Sequence, residues 1–272
     1  MQPALQLLGK LFNIRRHEWP RFAIIYLTYF IVLTGMQWGR PIVEAAFLTE
    51  VGVRFLPWVF VLNGLITIVF SAIYTAFADR VSNRILLAVL FAASIVGIII
   101  GLLLLQSTAV AVFIPLVLLF LVLNVPLQDL FNVHWPIYVN SFYDTQSAKR
   151  IIPILASGAR FAGIAAGLSL PYLNRLFQPD PTVGIVFVWM LTLVAGLALA
   201  WFMPAIVRRL RPAASPEASA TFPTQPKAGK DQAAYLDNIR EGYRYVTQST
   251  YLRWLAVAAV LTYALLPLIN FQ

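Results

Sequence analysis

The sequence predicts an all-α integral membrane fold. Three observations carry that reading. Of 272 residues, 60% are hydrophobic and 11% are charged, whereas a soluble domain averages about 25% charged. The apolar residues fall into runs of roughly 20, the length a helix needs to cross about 30 Å of hydrocarbon. The cations are placed on alternate connections, the pattern that orients helices in a bilayer.

The elements follow in order. Residues 1–21 place Leu5, Leu8, Leu11 and Phe12 at helical spacing among Lys10, Arg15, Arg16 and Arg21, which predicts a short interfacial segment; a plain polar tail is the other reading. Apolar spans are expected over residues 22–40, with continuation past Pro41 open, then 55–78, 85–105, 110–139, 151–177 and 183–203. Together they make a six-helix transmembrane bundle over 22–203. Residues 204–250 form a loop. Its first part, 212–230, is rich in Pro, Ala, Ser and Thr and reads as flexible. Its second part carries an amphipathic helix with Tyr235, Leu236, Ile239, Tyr243 and Val246 on one face. A seventh transmembrane helix is expected over 251–270. Prolines 115, 126 and 136 lie inside the fourth span, where neighbouring groups can satisfy the carbonyls they free.

Sixteen of the twenty Lys and Arg fall on one side of these spans. That side reads as the cytoplasm, which puts the N-terminus there and the protein in the cell (inner) membrane. The net charge of +9 is then a topology signal and calls for no nucleic acid. Cysteine is absent and there are two histidines, His17 and His134, so thiolate and zinc sites are not expected. No glycine loop ending in Lys-Ser or Lys-Thr is present to cradle a nucleotide for hydrolysis. No cofactor or metal is implied. Asp129, His134 and Ser141 lie close in sequence, but no nucleophile motif surrounds Ser141, and the chain does not read as an enzyme.

Polar residues inside the spans mark the function, because an ionisable side chain in hydrocarbon survives only when paired or facing a wet cavity. Span one carries Gln37, Arg40 and, just beyond, Glu44. Span two carries Asn63. Span four carries Asn124, Gln128, Asp129, Asn132 and His134. Span five carries Arg160. Spans three and six carry no charge. Spans one, two, four and five are therefore expected to line a wet path, with three and six toward lipid. Arg160 and Asp129 each fall about ten residues from the polar hinge containing Asp144, Lys149 and Arg150, near the midplane. A facing charge pair is expected there, as a substrate site or as a purely structural bridge. Two small-residue faces on span five, Gly158/Ala162/Ala166 and Ala159/Gly163/Gly167, suit close helix approach. His134 is a candidate proton carrier or an ordinary hydrogen-bonded histidine.

The connection Ala78-Asp79-Arg80-Val81-Ser82-Asn83-Arg84 resembles the signature loop of the major facilitator superfamily. Asp79, Arg80 and Arg84 match its charged positions, while Thr75 and Ser82 stand where that family has glycine. The resemblance implies half of a twelve-helix transporter fold with a gating latch at Asp79, Arg80 and Arg84. It also implies transport by alternating access. Ser147-Ala148-Lys149-Arg150, followed by Pro153 and Gly158, resembles the ATP/ADP translocase-type nucleotide transporters more briefly. That likeness implies antiport of an anionic solute such as a nucleotide, with Arg40 and Arg160 as phosphate contacts. The expected substrate-binding set is Arg160, Asp129, Arg40, Asn63, Gln128, Asn132 and Gln37. The partners expected are the lipid bilayer, a small polar or anionic solute, and a second half or another chain. The alternative is a truncated, non-transporting membrane module that assembles with another chain.

Overall fold

In the computed structural model the described residues are 14–15, 18–78, 80–107 and 110–210, with 250, 253, 254 and 258 beyond them. Among them there is no strand. The chain divides into two compact units at residue 224. In the second unit Thr250, Arg253, Trp254 and Ala258 are helical, and Arg253 donates to Thr250 Oγ1 at 3.2 Å. The expected interfacial segment, the amphipathic helix and most of the seventh helix lie outside the described residues.

The first unit holds six helices long and apolar enough to cross a membrane, consistent with an integral membrane protein. They are α1 (Trp19–Glu50), α2 (Leu56–Ala78), α3 (Asn83–Leu105), α4 (Phe113–Asn140), α5 (Thr145–Leu176) and α6 (Pro181–Arg209). Short connections make them run up and down. One end of the bundle therefore gathers Arg15, Arg21, Arg80, Arg84, Lys149, Arg150, Arg208 and Arg209, and is here the basic end.

Two boundaries differ from the sequence expectation for a physical reason. α1 runs through Pro41 to Glu50. Proline there removes only the amide that would bond the carbonyl four residues back, so the Gln37 carbonyl loses its helical donor while the helix continues. α5 starts at Thr145, six residues before the expected apolar start. Asp144 caps it by accepting from the Ser147 amide, so the polar stretch holding Lys149 and Arg150 is helix rather than hinge. Hydrophobicity marks the hydrocarbon crossing, but caps mark the helix.

α4 is not uniform. Leu123–Phe131 is π-helical, with Pro126 inside it. Proline cannot donate into the helix, and the wider winding is one way to absorb that loss. This stretch carries Asn124, Gln128 and Asp129.

The packed centre is formed by α1, α3, α4 and α6. α1 lies against α6 through small residues: any side chain at Gly35 would meet Thr192, and at Gly39 the Trp189 ring. Trp189, Leu193 and Val186 on α6 are fully buried there. Without a hydrophobic drive between helices in lipid, such close backbone approach supplies the packing contact. α3 and α6 are thus structural partners of α1 and α4, each with an outer apolar face. α2 is the most peripheral helix, with Leu56 and Val59 its buried residues, and it rests chiefly on the π-helical stretch of α4.

Candidate functional site

The chemistry of the unit begins on one face of α1. Tyr29, Leu33, Met36, Gln37 and Arg40 recur at three- and four-residue spacing, so they form one stripe. Opposite them, Leu123, Gln128 and Asn132 of α4 and Ala159 of α5 complete a cavity of about 110 Å³. Four of the seven expected substrate-binding residues, Gln37, Arg40, Gln128 and Asn132, therefore come together. Gln37, Gln128 and Asn132 are exposed into it, and the Asn132 amide donates to the Gln128 carbonyl at 2.6 Å. Arg40 donates to Glu44 Oε1 at 2.9 Å, one turn along the same helix.

Tyr29 supplies the aromatic wall. Its ring stacks on Trp135, with centroids 5.4 Å apart and planes 9° from parallel, and Phe131 lies beneath at 6.2 Å. Tyr29 is not among the residues expected from the sequence. Its spacing to Leu33, Gln37 and Arg40 was the available signal.

The expected Asp129–Arg160 pair does not form. Asp129 Oδ2 accepts from Thr67 Oγ1 of α2 at 3.0 Å, and its carboxylate is turned away from the cavity that its neighbour Gln128 lines. Among the described residues the salt bridges are Arg40–Glu44 and Arg150–Glu18. Two facts explain the miss. α5 packs on α1 rather than along α4, because Gly158 admits the rings of Tyr26 and Tyr29. And α5 begins earlier than expected, so Arg160 stands about 22 Å along its helix from the basic end, while Asp129 stands about 16 Å from the end of α4. Arg160 follows Ala159 of the cavity wall and is exposed on the six-helix unit. No hydrogen bond or ion pair to it is formed among the described residues.

Asn63 also lies outside the cavity lining. Its Oδ1 is buried without a hydrogen-bond partner. No residue of α2 lines the cavity, so α1, α4 and α5 form it, one helix fewer than expected. Of the small-residue faces on α5, Gly158/Ala162/Ala166 is buried against α1, while Gly167 of the other face meets open space.

Asp79 of the expected gating latch lies outside the described residues. Arg80 is exposed. Arg84 lays its guanidinium over the Trp201 ring of α6, 4.6 Å from the centroid. Nearby, His134 is 1% exposed and both ring nitrogens are engaged, Nε2 with the Asn83 carbonyl at 2.7 Å and Nδ1 with the Tyr74 hydroxyl at 2.8 Å. A carbonyl only accepts, so Nε2 carries the proton and Nδ1 accepts from Tyr74. This is a hydrogen-bonded helix-end histidine joining α2, α3 and α4.

A second polar centre at the basic end was not anticipated. Glu18, 2% exposed, accepts from the Ser147 hydroxyl at 3.0 Å, from Arg150 Nη2 at 3.2 Å and from the Arg15 amide at 2.8 Å. One turn on, the Arg21 guanidinium donates to the Phe142 carbonyl at 2.9 Å and faces the Tyr143 ring at 5.5 Å. Burial raises the pKa of the Tyr143 phenol above the usual range, against the pull of Arg21. The pair of anchors ties the start of α1 to the α4–α5 connection through Arg21 and to the first turns of α5 through Glu18. An acidic residue directly before Trp-Pro, within a strongly basic flank, was the only sequence signal for it.

No protein-family model, no curated protein and no solved structure matches the chain.

Proposed function

We propose that the protein is a secondary active transporter, working by alternating access, for a polar anionic organic solute such as a nucleotide. One observation carries this reading. A bundle of membrane-length helices turns Gln37, Arg40, Gln128 and Asn132 into one mid-depth cavity beside a stacked Tyr29–Trp135 wall, and the unneutralised Arg160 follows the wall residue Ala159 in sequence. Amide and guanidinium groups there offer donors to an anion, and guanidinium forks match phosphate oxygens. Arg40 already has Glu44, so the net positive charge rests on Arg160.

The resemblance of residues 78–84 to the major facilitator signature supports the same reading and suggests that this unit is one half of a twelve-helix machine. Arg80 and Arg84 would then belong to a cytoplasmic latch, with the N-terminus in the cytoplasm. In that arrangement the solute binds between two halves that rock about it.

The exposure of Arg160, Gln37, Gln128 and Asn132 on the six-helix unit favours one further reading, a membrane module that performs no transport alone and assembles with another chain. Hydrocarbon cannot cover these groups, so a second body over this face is common to both. Purified protein reconstituted in liposomes, preloaded with ATP and given labelled ATP outside, separates them. Exchange above that of empty liposomes supports transport. Its absence, with the protein inserted and monodisperse, overturns it for the chain alone.

A further inference from the structure

Asp129 presents a problem that the solute cavity does not solve. It is a carboxylate about 16 Å into a membrane-length helix bundle, its sole hydrogen-bond donor is Thr67, and no cation pairs with it among the described residues. An unpaired carboxylate in hydrocarbon costs several kcal/mol, so it has to be neutralised by something.

The surroundings indicate by what. Thr67 and Asn63 are four residues apart on α2, hence on one face. α2 is otherwise peripheral, and the helix it rests on is the π-helical stretch that carries Asp129. The Oδ1 of Asn63 is fully buried and accepts no hydrogen bond, and it lies on the α2 face that carries Thr67. These three residues offer a carboxylate, a hydroxyl and an amide carbonyl, all oxygen, the first two already in contact. No imidazole or thiolate joins them. A set of oxygens suits a hard ion. With one carboxylate it balances one positive charge, where a divalent ion would ask for more acidic ligands.

We propose that Asn63, Thr67 and Asp129 form a site for a monovalent alkali cation, Na⁺, between α2 and α4. It is separate from the solute cavity, which Gln128, the preceding residue, lines from the other side of α4. The site stands on this geometry alone; its use as the coupling ion rests on the transport reading above. Gln128 and Asp129 are successive residues of one helix and so face different sides of it, and a shift of α4 between α1 and α2 would be felt by both sites.

The test is equilibrium binding of ²²Na⁺ to the purified 272-residue protein in detergent, with excess unlabelled NaCl, KCl or choline chloride as competitors. The expected result is one saturable site per chain, competed by NaCl at least tenfold better than by choline chloride. It should be lost in Asp129→Asn and weakened threefold or more in Thr67→Val and Asn63→Leu, which keep the charge and guard against a misfolded Asp129 variant. Absence of saturable binding overturns the site, as does full binding by Asp129→Asn or parent-like binding by both α2 variants. A melting temperature that depends on pH through Asp129 but is indifferent to Na⁺ gives the carboxylate to a proton and also overturns it. Sodium binding without solute exchange overturns the transport reading for the chain alone and leaves the site standing. Exchange without sodium binding does the reverse.

Discussion

Replacing Glu18 by alanine is expected to loosen the basic end of the bundle more than any other single change there. The carboxylate is buried and holds three donors, Ser147 Oγ at 3.0 Å, Arg150 Nη2 at 3.2 Å and the Arg15 amide at 2.8 Å. A hydrogen bond to a charged group contributes roughly 1.5–3 kcal/mol, and breaking a buried ion pair costs about 3–5 kcal/mol because the partner is left uncompensated. Arg150 is 24% exposed at its side chain and regains part of its hydration, so the lower end applies. We expect Glu18→Ala to cost about 3 kcal/mol, and Glu18→Gln about half of that because one acceptor and the volume remain. The readout is reversible unfolding of the reconstituted protein by titrated denaturing detergent, followed by tryptophan fluorescence. A cycle with Arg150→Ala should return a coupling of about 1–2 kcal/mol. A loss under about 0.5 kcal/mol for Glu18→Ala would refute the anchoring role, whatever the double mutant does.

Other expectations follow from the same geometry. Gly39→Leu drives a side chain into the Trp189 ring; overpacking of this kind costs about 1–3 kcal/mol, and the same unfolding assay should register it, while Gly167→Leu, which meets open space, should change little. Asp144→Ala removes the cap of α5 and should cost about 1 kcal/mol at neutral pH. Its carboxyl titrates below the usual range because Ser147 hydrogen-bonds the charged form. The cap therefore contributes fully above the unfolded-state value of about 3.9 and is lost as pH falls through the lower folded value. Parent and Asp144→Ala should accordingly converge in stability in that acidic window, and a constant gap down to pH 2 would contradict the assignment. Tyr74→Phe removes the donor to His134 Nδ1 and should cost about 1 kcal/mol without altering solute exchange; loss of exchange there would mean that His134 has more than a structural role.

The six spans were legible because hydrocarbon length and composition leave few alternatives for runs such as residues 85–105. Their ends were less so. Asp144 caps a helix inside a stretch that hydropathy reads as a loop, and Pro41 sits in a helix that continues past it. The cavity was half legible. Gln37, Arg40, Gln128 and Asn132 stand out as polar groups in apolar spans, and their convergence follows from their faces on α1 and α4. The partner of Asp129 was not legible. A short connection between α4 and α5 suggests that they lie side by side, but the packing of Gly158 on Tyr26 and Tyr29 sends α5 to α1. The π-helical winding around Pro126 also shifts the facing of each side chain in a way an ideal helix does not anticipate. Glu18 was not legible because a carboxylate before a first span looks like any solvated flank until the first turns of α5 close over it.

The reading of the cavity as an anion site depends most on Arg160, a cation that Asp129 does not neutralise and that is next in sequence to the wall residue Ala159. The decisive experiment is ATP exchange in proteoliposomes by the parent and by Arg160→Ala, with insertion checked by protease protection. A fall of a hundredfold or more in exchange by the variant, equal in amount and orientation to the parent, is the expected result. Unchanged exchange would contradict it and remove Arg160 from the site.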